Sequence, residues 1–158
     1  VAELDVAEQL RQYLIDEDLA VAAADADGIH PIVVCDPRDG APLPVLTDSG
    51  LDFTAGTLTL TTPTEPSAGE DNARTRTVVS IMVRARTHPQ ARLIVRQIQN
   101  LLTPPELWGG KHQFQMGQIN PVHLCLPFRG PQRIAAEEDA YTFELAFEFL
   151  VSRSVLSV

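Results

Sequence analysis

Two sets of residues are of the types that could do chemistry. His123 and Cys125 stand two apart in a strand-forming run, on one face of it, and a hairpin would bring His112 beside them. Zinc sites take three or four such ligands at spacings of the CxxC or HExxH kind, and no such spacing is present, so no metal ligand set is expected. The second set is Glu137, Glu138 and Asp139. Carboxylates work as an acid and base pair when different environments separate their pKa values; three adjacent acids in a polar turn share one wet environment and read as a solvated loop. Gly109-Gly110-Lys111-His112 lacks the spacing and the following helix of a phosphate-binding loop. No nucleophile turn for Ser-His-Asp or Cys-His chemistry is recognisable. The expectation is therefore a chain without catalytic residues, cofactor or metal, and not an enzyme.

Charge is more informative. The 158 residues carry 21 acidic and 12 basic side chains, a formal charge of -9. Acidic balance disfavours ordinary nucleic-acid binding, whose affinity comes mostly from a basic face. The charge is also unevenly placed. Glu3, Asp5, Glu8, Asp16, Glu17, Asp18, Asp25 and Asp27 face Arg11 alone over the first 27 residues, whereas Arg74, Arg76, Arg84, Arg86, Arg92 and Arg96 lie between Asn72 and Pro105 with no acid among them. Segments of opposite sign on different flanks would let copies associate head to tail, closing into rings or extending as filaments. The alternative is that the first helix packs beside the arginine segment within one subunit.

The elements that must position these groups follow from periodicity. Val6, Leu10, Tyr13 and Leu14 form the apolar stripe of a helix over about Glu3 to Asp18, whose final acids oppose the helix dipole. Ile32 to Cys35 is a short strand before a Pro- and Gly-broken loop, and Thr57 to Thr62 alternates as a half-buried strand. A polar loop follows over about 63–77. Val78 to Arg86 is a strand with Val79, Ile81 and Val83 on one face. Thr87-His88-Pro89-Gln90 has the spacing of a capping box, with Gln90 reaching back to the Thr87 backbone, and opens a helix with a stripe of Ala91, Ile94, Val95, Ile98, Leu101 and Leu102. Strands near Gln113 to Gln118 and Val122 to Phe128 are expected to turn at Asn120-Pro121. Tyr141 to Val151 alternates so clearly, with four aromatics on one face, that it reads as a central strand. The fold class expected is α/β in the α+β sense: one domain over 1–158, with a mixed, mostly antiparallel sheet of about five to six strands and two helices packed on it. Apolar runs fall short of the roughly 18 to 20 residues of a membrane span, and Cys35 and Cys125, each beside apolar residues, read as reduced core thiols of a soluble protein.

This order of elements resembles the tail terminator proteins of long-tailed bacteriophages, also labelled tail-to-head joining or minor capsid proteins. Three features carry the resemblance: Val78-Val79-Ser80-Ile81-Met82-Val83-Arg84-Ala85-Arg86 running into the helix Ala91 to Leu102, the acidic turn Ala136-Glu137-Glu138-Asp139-Ala140, and the aromatic strand Tyr141 to Val151. The family commonly frames that turn with a glycine and an arginine, where this chain has Ala136 and Ala140. The resemblance implies a virion protein of the tail-neck junction, assembled in the host cytoplasm: a hexameric ring that caps the tail tube, ends its polymerisation and docks the head connector. DNA would pass the lumen without specific binding, and no membrane is involved. The partners implied are further copies of the chain, the tube protein and the connector or stopper. Arg74, Arg76, Arg84, Arg86, Arg92, Arg96, Asp16, Glu17, Asp18, Glu137, Glu138 and Asp139 would lie at the subunit or tube interface, the arginines of the Val78 to Arg86 strand and Arg92 and Arg96 of the helix meeting acidic groups of a neighbour. A head-completion or stopper protein and a small cellular interaction domain are the competing readings; a hydrolase or transferase with unrecognised residues is a third.

Overall fold

The computed structural model describes residues 4–19, 21–22, 32–35, 56–60, 74–85, 87–107, 110–133 and 141–156. They form a mixed α+β fold: α1 (Val6–Asp16), β1 (Val21–Ala22), β2 (Ile32–Cys35), β3 (Gly56–Leu60), β4 (Arg74–Ala85), α2 (His88–Leu102), β5 (Lys111–Met116), β6 (Ile119–Arg133), β7 (Tyr141–Ser152) and the short α3 (Arg153–Leu156). The strands make one sheet in the order β1-β2-β3-β4-β7-β6-β5. β1, β2 and β3 run parallel to one another, and every other pairing is antiparallel. The expected five to six strands thus become seven. The added strand, β1, has two residues, too few to leave a periodic signal. α3 adds a third helix to the expected two.

The sheet is built around β4 and β7, paired without interruption from Arg74 opposite Ser152 to Ala85 opposite Tyr141. That ladder takes in Arg74 to Thr77, which the sequence places in the preceding loop: their polar side chains hide a strand held by its partner's backbone. On one face Val79, Ile81 and Val83 of β4 and Phe143, Leu145, Phe147, Phe149 and Val151 of β7 are buried. α1 covers this core with Val6, Leu10 and Leu14, and α2 with Ala91, Ile94, Val95, Ile98 and Leu102, all in one cluster. Full burial of each large apolar side chain is worth about 1.5–3 kcal/mol, so this face holds the layers together. α1 runs near β1 and β2 at one edge of the sheet and near β5 at the other.

Helix ends follow local chemistry. Asp5 caps α1 by accepting the Ala7 N–H, and the helix ends at Asp16 with Glu17 as its C-cap and Asp18 at φ 59°. The three acids expected inside the last turn therefore sit at and beyond the end, where they do not extend a helix against its dipole. Thr87 caps α2 by accepting the Gln90 N–H. Gln90 does not reach back to the Thr87 backbone as a capping box would have it. Its Oε1 instead accepts the Thr87 hydroxyl at 2.9 Å.

The β5–β6 hairpin differs from expectation in its turn. Gly117, at φ +59°, and Gln118 make the reversal, while Asn120-Pro121, a cis peptide, lies inside β6. β6 continues to Arg133 through Pro127, Gly130 and Pro131. Its register with β5 ends at Cys125, so the second half is a sheet edge on that side among the described residues, where proline costs no ladder bond.

Candidate functional site

The arginines singled out in the sequence separate into groups. Arg92 and Arg96 are exposed, one turn apart on α2, because the buried stripe Ala91, Ile94, Val95 and Ile98 turns them outward. With Val95, Gln99, Pro131 of β6 and Phe143 of β7 they line a cleft of about 90 Å³. Its floor is apolar, since Val95 and Phe143 are buried, and its rim is cationic. Arg76 is exposed on β4 and pairs with Glu148 of β7 at 3.3 Å, beside Leu124, Leu126 and Leu150 at a second shallow cleft. Arg74 is exposed at the start of β4, opposite Ser152. Arg84 is half-buried opposite Thr142, integrated in the sheet and not a free surface cation. Arg86 lies outside the described residues.

Asp16, Glu17 and Asp18 are exposed at the end of α1. Asp16 accepts the Gln12 side-chain amide at 2.8 Å. Ion pairs between described residues include Arg11 with Glu8, Arg76 with Glu148, and Arg129 with Glu144. None of these joins the α1 acids to the arginines of β4 or α2, although α1 packs near β4. Glu137, Glu138 and Asp139, and residues 63–73 of the polar loop, lie outside the described residues.

The residues considered for chemistry also separate. His112 is exposed and Cys125 is buried and reduced. Burial pushes the Cys125 thiol from 9.0 up to about 12, with Lys111 acting weakly in the opposite direction from its place across the β5–β6 ladder. No group of three or more His, Cys, Asp and Glu that could hold a metal occurs among the described residues, and no helix there is long and apolar enough to cross a membrane. Lys111 finds other partners: its Nζ donates to the Tyr13 hydroxyl at 2.6 Å and lies 4.9 Å from the centre of the Phe114 ring, tying β5 to α1.

One arrangement escaped the sequence. His123 Nε2 meets Ser152 Oγ at 2.6 Å, and Gln113 Nε2 meets His123 Nδ1 at 3.1 Å. It arises where β6 slips register against β7 between Val122 and Leu124 and where Gln113 takes φ 47°. A serine and a histidine 29 residues apart leave no spacing signal. The imidazole thus has a carboxamide at Nδ1 and a hydroxyl at Nε2, and its tautomer decides which partner of each pair donates. The contact joins β5, β6 and β7 on the sheet.

No family model and no curated protein matches the chain. Among solved structures, it is similar to a chain of "Virion of native gene transfer agent (GTA) particle", with a TM-score of 0.50 and 14% identity. The alignment covers 94% of this chain and 92% of that one. At that identity the likeness is one of fold, and it extends over nearly the whole of both chains.

Proposed function

We propose that this protein is a structural component of a phage-like particle: a ring-forming tail terminator that caps the tail tube, ends its growth and joins the tail to the head connector. The observation that carries the reading is the near full-length likeness to a chain of a gene transfer agent virion. The order of elements on which the tail terminator resemblance rests supports it, as do the opposite charges of α2 and the α1 end. Its work on this reading is mechanical and not catalytic. Copies of an acidic chain placed around an axis would make a lumen that repels phosphate, so DNA slides through without sticking. A subunit of this length has a radius of gyration of roughly 15 Å, and six around an axis leave an opening about as wide as one subunit, ample for a duplex.

The test is assembly. Native mass spectrometry of the purified chain, alone and with the tube protein of the same particle, is expected to give a closed hexamer, and electron microscopy to show tubes of uniform length with the ring at one end. A ring that binds the connector and leaves tube growth unchanged would replace the terminator role by that of a stopper. A monomer in solution, with tube and in the native particle would overturn the reading.

A further inference from the structure

We propose that the cleft between α2 and the β6–β7 pair is the receiving half of a contact between copies of this chain, and that it takes the acidic end of α1, Asp16 and Glu17, from the neighbour. The inference rests on the ring reading above and names the groups that would close it.

The cleft has the character of a side-chain socket. At about 90 Å³ it is well below the roughly 300–1,000 Å³ of small-molecule sites, so it suits one or two side chains presented by a protein surface. Arg92 and Arg96 offer two planar guanidinium forks, each able to hold a carboxylate through paired N–H donors. Neither takes part in an ion pair among the described residues, and no acid stands in the sequence from Asn72 to Pro105. Val95 and Phe143 supply the apolar part of its lining. Leu93, 55% exposed on the same helix, adds apolar area beside the arginines.

The occupant follows from charge complementarity. The chain itself presents Asp16 and Glu17, exposed and adjacent, where α1 ends and the backbone leads into β1. β1 closes one end of the strand order, and the cleft is built on β6 and β7 at the other side of β4. Asp16 and Glu17 make no ion pair with Arg92 or Arg96 among the described residues, so the proposed contact lies between copies and is heterologous: each copy gives its α1 end to one neighbour and receives another's in its α2 cleft.

The experiment is a charge exchange read by native mass spectrometry. R92E/R96E and, separately, D16K/E17K are each expected to raise the concentration needed for assembly at least about tenfold. Mixing the two variants in equal amounts is expected to restore assembly, because reversed clefts meet reversed helix ends in an alternating ring. Restoration in the mixture also shows that both variants are folded. Unchanged assembly of R92E/R96E, or a mixture that stays dissociated, would overturn this contact while leaving the terminator reading intact. A wild-type chain that is monomeric in solution, with tube and in the particle would overturn both.

Discussion

The carboxamide oxygen of Gln9, on the buried face of α1, accepts the backbone N–H of Gln118 at 2.7 Å across 109 residues of sequence. Gly117 beside it approaches α1 so closely that a Cβ there would collide with the Gln9 side chain, and its φ of +59° is one that L residues rarely adopt. The β5–β6 turn is thereby docked on the first helix. Gln9→Ala removes the partner of the Gln118 N–H and is expected to cost about 0.5–1.5 kcal/mol. Gly117→Ala is expected to cost at least about 1–2 kcal/mol from its backbone conformation alone, before the collision is counted. Urea unfolding of each variant measures both.

Cys125 makes stability depend on alkaline pH. Its thiol titrates at about 12 in the folded protein against 9.0 ordinarily, because burial disfavours the thiolate. A raised folded pKa means that the folded state holds the proton more tightly. The associated stability is complete below about pH 9 and is lost as pH rises toward about 12, with a slope of at most about 1.4 kcal/mol per pH unit. In a Cys35→Ser background, unfolding free energy is expected to fall over that window, and Cys125→Ala is expected to remove this part of the decline. A thiol reagent at pH 8 should react with Cys125 only on unfolding.

Thr87 governs the start of α2. Its Oγ1 accepts the Gln90 N–H at 3.4 Å and donates to Gln90 Oε1 at 2.9 Å. Thr87→Ala is expected to cost about 1 kcal/mol by thermal or urea unfolding, and Thr87→Ser to retain most of it.

Elements with a strong period were readable in the sequence. α2 announced itself through Thr87 and an unbroken stripe, and β7 through its alternation, which also marked it as central. The arginine pair Arg92 and Arg96 was visible because helical spacing sets which residues turn outward. Tertiary context decided the rest. Arg74 to Thr77 look like loop residues yet complete the ladder with β7. Asn120-Pro121 has turn chemistry yet lies in β6, because the reversal is set by Gly117 and by Gln9, a residue on another element. Arg84 reads from alternation as a cation projecting from a strand face with Arg86, but neighbouring strands half-bury it. The His123 and Ser152 contact depends on a register slip, which no single strand records.

Leu4 donates its backbone N–H to the Leu156 carbonyl at 2.6 Å, while Gln9 and Tyr13 of α1 hold residues of the β5–β6 hairpin. α1 is thus completed by elements about a hundred or more residues further along the chain. Until that hairpin is in place part of the apolar face of α1 stays uncovered, an interval in which contact with sister chains competes with native closure.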